Sequence, residues 1–293
     1  MDYLIHILIM INIYVIITIS TNLMVGLANL ITLGQAAFYG IGAYMGAWSL
    51  MGLGLPLIPT LLLAMFVSGL FGYLLGLAAV RLKGDYFILG TLGFQMIVFT
   101  ILYNWIKLTK GPYGIPGIPS PKLFGSFEIS GTYHYLILSL ALAVIVGVVS
   151  YMLIKSPFGR TLRAMRDDQL SLMTLGRNIK KLKIQTVVIA AAFTAISGVI
   201  YASYISYIDP TSFNLDEAIF IISAVIIGGT GNIKGPVIGA VFVVVLPELL
   251  RFVGMPDSVA ANMRMVIYGL SIVILMYIRP QGLLGEFKFN KQA

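Results

Sequence analysis

The sequence predicts an all-α polytopic membrane protein, with about nine transmembrane helices (eight to ten) in two pseudo-repeats that contain interrupted helices. Three observations carry that prediction. Of 293 residues, 59% are hydrophobic and only 10% are charged, against roughly 25% charged in a soluble domain. No Asp, Glu, Lys or Arg occurs from Tyr3 to Val80, which leaves room for three consecutive crossings. The basic residues that do occur gather between apolar runs, eight of the nineteen Lys and Arg falling in residues 155–183.

Taken in order, charges and Gly/Pro clusters divide the single membrane domain, 1–293, into candidate spans at 3–24, 30–50, 57–80, 86–106, 134–154, 184–206, 216–233, 236–251 and 263–278. The first run lacks a basic leader and is long enough to cross a bilayer, so it reads as a retained span and not a cleaved signal. Alternate threading puts segment 155–183 on one side together with Arg81, Lys83, Lys234, Arg279, Lys288 and Lys291. Lys107, Lys110, Lys122, Arg251 and Arg264 fall on the other side, a bias of fourteen against five. The richer side is the cytoplasm by the positive-inside rule, which places the C-terminus inside and the N-terminus outside. A missed or broken span reverses the N-terminus alone.

Glycine marks where plain helices are not expected. It stands at 26, 34, 40, 42 and 46, and again at 228, 229, 231, 235 and 239. At an offset of 197, Gly34, Ile41, Gly42 and Ala43 match Gly231, Ile238, Gly239 and Ala240. The threading gives both stretches one orientation, so we read a parallel duplication, 1–106 and 184–293, on either side of the basic segment. Shared small-residue packing without duplication gives the same pattern.

Several chemistries are excluded. There is no cysteine, and the two histidines, His6 and His134, are too far apart in sequence for a recognisable metal motif. A net charge of +8 belongs here to short loops and not to a nucleic-acid face. No GxxxxGK[ST] loop is present, no catalytic set can be assembled, and the chain is not expected to be an enzyme. Every charge, including Asp216, Glu217, Lys234 and Glu248, lies within a few residues of an expected span end, so no proton relay is visible. A passive or partner-powered route remains. Its polar, uncharged lining would come from Asn29, Thr32, Gly34, Gln35 and Tyr39 in the first half and Thr230, Gly231 and Asn232 in the second. Each of these polar side chains serves equally as a helix-packing hydrogen bond.

Outside, residues 107–133 form the longest loop, whose GPYGIPGIP repeats describe successive turns, not a helix or hairpin. Docking surface, lid and plain connector are all open readings. Inside, Ser156 and Pro157 start a helix running to Leu175 and stopped by Gly176, about 28 Å long. Arg160, Arg163, Arg166 and Asp167 make a charged stripe on it, opposite Phe158, Leu162, Met165, Leu172 and Met173. Such a helix suits a soluble partner, a membrane surface or a cytoplasmic loop held in by charge.

Five ordered blocks then resemble one family nearly end to end: GLANLITLGQAAFYGIGAYMGA, RLKGDYFILGTLGFQMIV, GPYGIPGIP, RTLRAMRDDQLSLMTLGRN and IIGGTGNIKGPVIGA. They are similar to the LivM-type permease subunits of branched-chain amino-acid ABC importers. The resemblance implies a subunit in the cell (inner) membrane of a prokaryote that pairs with a second, homologous permease. It also implies two cytoplasmic ATPases, an external solute-binding protein, and no cofactor on this chain, ATP being used by the partners. Segment 155–183 then becomes the coupling segment. Asp167 and Gln169 stand at the family's acidic positions, Ser171 and Leu172 replace its alanine pair, and Gly176 keeps its glycine. Gln35 stands where the family often has histidine. Related permeases carry urea, short amides and other amino acids, and a stand-alone facilitator is the rival class.

Overall fold

The computed structural model describes residues 2–252 except 80, 83, 124–128 and 130, with scattered positions from 263 to 284. Half the positions of the expected span 263–278, and Lys83, Arg264, Arg279, Lys288 and Lys291, lie outside the described residues. The described residues are helical almost throughout: α1 Asp2–Ala28, α2 Gln35–Gly52, α3 Leu57–Ala79, α4 Asp85–Asn104, α5 Ile106–Thr109, α6 Thr132–Lys155, α7 Pro157–Asp167, α8 Gln169–Thr174, α9 Ile179–Ile205, α10 Leu215–Gly228 and α11 Lys234–Phe252. Five of these, α1, α3, α4, α6 and α9, are long and apolar enough to cross a bilayer. Helices so apolar on every face suit a bilayer, which supplies an apolar solvent while the helix satisfies its own backbone.

Two helices organise the rest. α1 lies against α6, α7, α9, α10 and α11, while α9 lies against α2 and α3 as well. Lipid tails are as apolar as leucine, so close backbone approach drives this packing more than water exclusion does. The α2–α9 crossing shows how: a Cβ on Gly42 would stand 2.5 Å from Ala195 Cα, and one on Gly198 2.3 Å from the Tyr39 carbonyl oxygen. Only hydrogen fits at either place.

The expected span 30–50 starts as helix only at Gln35. Residues 29–34 form no regular helix, beginning at Asn29 with φ 52°. The freed backbone is satisfied locally, as membrane depth demands: Leu33 N–H donates to Thr91 Oγ1 at 3.1 Å, and Gly34 N–H to Thr32 Oγ1 at 3.0 Å. The expected span 216–233 is likewise shorter, because α10 ends at Gly228 and a turn with Gly229 at φ 98° and Gly231 at φ 100° leads into α11.

α10 also starts below the surface. Its cap residue Asn214 follows Phe213, which is buried against Tyr39 and Tyr201. Loop 107–133 differs from its expectation too. It contains α5, and Ile115 and Pro116 pair antiparallel with Ile208 and Tyr207, so the Gly/Pro turns are pinned to the end of α9.

Candidate coupling surface and polar path

The segment expected to be one helix to Leu175 is two, because Asp168 leaves helical geometry (φ −151°, ψ 108°) and ends α7. Asp168 then caps α8, accepting from Leu170 N–H at 2.8 Å and Ser171 N–H at 3.2 Å and from the Ser171 hydroxyl. Capping side chains compete in this way with helix continuation. These hydrogen bonds, the Ser171 hydroxyl first, hold the Asp168 carboxyl below its ordinary value. The group therefore favours the capped state above the unfolded carboxylate pKa, and that contribution is lost as pH falls through the lower, folded value. Asp168→Asn should keep the cap and Asp168→Ala lose it, seen as faster amide exchange at 170–175 in the alanine variant alone.

At its start α7 is as expected. Ser156 Oγ accepts from Gly159 N–H at 3.3 Å, and Pro157 fills the first turn. Gly159, Leu162 and Met165 are buried, facing α1 and α6. The arginines of the stripe turn back onto those same helices. Arg160 donates to Lys155 O at 3.2 Å and Arg163 to Ile154 O at 3.1 Å, both in the last turn of α6. Arg166 donates to Gly26 O at 2.9 Å, near the end of α1, while its Nε meets Asp167 at 3.1 Å. Cations at helix C-termini satisfy orphan carbonyls and oppose the helix dipole.

What α7–α8 presents outward is different chemistry. Leu170, Met173 and Leu175 are 75%, 58% and 77% exposed, beside exposed Gln169-flanking residues Asp167 and Asp168. Gly176, at φ 74°, closes the segment with nothing near its missing Cβ. Arg160, Arg163 and Arg166 turn back onto α1 and α6, Arg160 remaining exposed, while Leu170, Met173 and Leu175 are free to be covered.

The eight residues expected to line a route are divided by the fold. Asn29 is exposed at the α1–α2 break, and Thr32 is buried there holding Gly34. Gln35 is buried between α1 and α9, its Oε1 accepting from Thr194 at 2.8 Å and its amide on Met24 Sδ at 3.2 Å. Tyr39 is buried in an aromatic cluster with Tyr201 and Phe213. Thr230, Gly231 and Asn232 form the α10–α11 turn. Gly231 N–H donates to Asn22 Oδ1 at 3.2 Å, and Asn22 Nδ2 donates to Asn232 O at 2.8 Å. Thr230 Oγ1 is buried without a hydrogen-bond partner among the described residues.

Asn22 was not among the expected residues, nor were Thr18, Tyr14 and Glu217. Thr18 donates to Pro236 O at 3.0 Å, and Tyr14 donates to Glu217 Oε1 at 2.8 Å. The spacing 14, 18, 22 is one helix face, a signal legible in the sequence. Glu217 corrects the expectation that all charge lies near the surfaces. Tyr14 is about 18 Å along a helix of about 40 Å at 1.5 Å per residue, so its carboxylate partner is at mid-depth. A separate cavity of about 310 Å³ between α2, α3 and α4 contains both tryptophans, Trp48 and Trp105. It is almost wholly apolar and offers nothing to a charged or zwitterionic solute.

Helices for a bilayer, a pinned amphipathic segment at one end and a polar seam through the bundle define a multi-pass transport permease. The comparisons agree. Residues 3–276 match the family described as branched-chain amino acid transport system / permease component, and the chain belongs to that family. The high-affinity branched-chain amino acid transport system permease protein LivM of Salmonella typhimurium is 35% identical over 93% of this chain and 68% of its own. LivM of Escherichia coli is 34% identical with the same coverage. A probable LivM of Methanocaldococcus jannaschii is 31% identical over 78% of this chain and 69% of its own. No solved structure matches. Members are permease components of transport systems and not enzymes.

Proposed function

We propose that this chain is one permease subunit of an ATP-driven importer for branched-chain or chemically similar amino acids, delivered by an external binding protein. A second permease, a homologue of this one, completes the route, and two cytoplasmic ATPases bind at α7–α8. The chain carries no cofactor of its own; ATP is consumed by its partners. The α7 end of the bundle is cytoplasmic in this reading. Leu283 and Leu284 donate to Ile227 O and Gly228 O beside the α10–α11 turn, which supports a C-terminal part on that same side of the inner membrane.

The observation that carries the reading is the two-faced α7–α8 segment. Its inner face is fastened to α1 and α6 through Arg160, Arg163 and Arg166, while Leu170 and Met173 of α8 and Leu175 just after it stand open to the aqueous side. A lever needs both: rigid attachment to what it moves and an apolar, desolvatable contact with what pushes it. Asp167, Gln169 and Gly176 flank that contact and set its charge and its end. Asn22 links α1 to Gly231 and Asn232 of the α10–α11 turn, and with Thr230 these residues form the part of the route nearest the lever. A route built where interrupted helices of two like-oriented halves meet would place the breaks at 29–34 and 229–233 beside it.

Leu170→Asp with Met173→Asp should abolish co-purification of the ATPase subunits while the permease still reaches the membrane. Retention of the ATPases at wild-type stoichiometry removes α8 from the interface. The class is tested by reconstitution. The assembled complex with binding protein should accumulate leucine in liposomes only with ATP, and the chain alone should pass none. Leucine flux through the chain alone would make it a facilitator.

A further inference from the structure

Tyr3 and Tyr14 are eleven residues apart on α1, almost exactly three turns, so their hydroxyls point to one side. Each donates to a carboxylate on the facing hairpin: Tyr3 to Glu248 of α11, and Tyr14 to Glu217 of α10 at 2.8 Å. Thr18 and Asn22 continue the same seam to Pro236 and to the 231–232 turn, where the Thr230 hydroxyl is buried without a partner among the described residues. Polar stations therefore recur along this side of α1 at residues 3, 14, 18 and 22, with the two carboxylates about 16 Å apart along it.

Among the described residues, neither carboxylate has a cation beside it; Glu217 has the Tyr14 hydroxyl and Glu248 the Tyr3 hydroxyl. A carboxylate at membrane depth is costly unless it is paired, and such residues mark pathways. A neutral amide would serve the Tyr14 hydrogen bond equally well, so packing alone does not call for an acid here. Glu217 is only partly buried, which leaves one side of it open to a visitor. The group that would complete Glu217, which has no cation beside it among the described residues, has the chemistry of an ammonium.

We propose that Glu217, oriented by Tyr14, receives the ammonium group of the transported solute at mid-membrane, and that Glu248 with Tyr3 is the preceding station towards the external end. The proposal rests on the amino-acid importer reading and names the group on the solute that this chain reads. A charge-assisted hydrogen bond from ammonium to carboxylate replaces the water that the solute sheds on entry. Among the described residues the seam offers no comparable anion between Glu217 and the α7 end, so the solute is held once, midway, and then released past Asn22 and Thr230.

Glu217→Gln keeps the acceptor for Tyr14 and removes the charge. In the reconstituted complex with binding protein and ATP, leucine uptake should fall at least tenfold in Glu217→Gln, with partial retention in Glu217→Asp and equal amounts of assembled complex. Because the chain has no cysteine, Glu217→Cys carries one thiol. A cationic, membrane-impermeant methanethiosulfonate should modify it in the complex, and transported leucine should slow the reaction. Val144→Cys, on an exposed position of α6, should stay inert. Wild-type uptake in Glu217→Gln, or an unreactive thiol at 217, overturns the proposal while the importer reading stands. A wild-type complex that accumulates no amino acid overturns the importer reading instead, and the thiol reaction then still decides whether position 217 borders an aqueous route.

Discussion

Uptake by the assembled importer is expected to vanish when Arg163 and Arg166 are both changed to glutamate, with membrane insertion intact. Arg163 and Arg166 are partly buried, and each closes a helix end, α6 through Ile154 O and α1 through Gly26 O. A hydrogen bond from a charged donor contributes about 1.5–3 kcal/mol, and two such bonds hold α7 in place. Glutamate cannot donate, and it sets a negative charge beside carbonyl oxygens at the negative ends of two helix dipoles. The segment then detaches from the helices it should move. The five long apolar helices are untouched, so insertion survives. The check is ATP hydrolysis measured beside leucine uptake: an uncoupled complex hydrolyses without accumulating. Wild-type uptake in the double variant would remove these arginines from coupling.

The second large effect concerns two glycine-to-alanine changes that look alike and should differ in sign. Gly198→Ala places a methyl 2.3 Å from Tyr39 O and 2.5 Å from Ala43 N, both backbone atoms with no rotamer to yield. α2 and α9 must separate, and we expect a loss at or above the upper end of the roughly 1–3 kcal/mol typical of overpacking. Gly93→Ala, in α4, meets nothing within 4 Å and gains helix propensity of about 0.8–1.0 kcal/mol. Thermal unfolding in detergent should show Gly198→Ala melting well below wild type and Gly93→Ala at or above it. Similar melting of Gly198→Ala and wild type would mean that the α2–α9 crossing is looser than described.

Much of this fold is legible in the sequence because a bilayer leaves few choices. Long apolar runs without charge become α1, α3, α4, α6 and α9 within a few residues of their expected limits, and the Ser156–Pro157 start of α7 is read correctly from capping alone. The breaks are legible in kind but not in place. Glycine density signals that 26–46 and 228–239 are not plain helix, yet where α2 starts depends on Thr91 and Thr32 supplying partners to freed amides, and such long-range satisfaction has no local signature. Asp168 was not singled out within the single helix expected to run to Leu175, because its cap of α8 depends on a backbone angle that a helical wheel does not contain. Glu217 was misplaced for a related reason. Distance along the chain from an apolar run measures depth only if the neighbouring loop stays at the surface, and the loop before α10 sinks to bury Phe213.

In the proposed importer the bond from Arg166 to Gly26 O joins the ATPase-facing segment to α1, whose first residues lie at the other end of the bundle. A stiff rod pushed at its foot swings at its head. Any stroke entering at residue 166 thus emerges near residue 2, on the far side, and a fluorophore carried by the amino terminus would report ATP turnover from the compartment where no ATP is present.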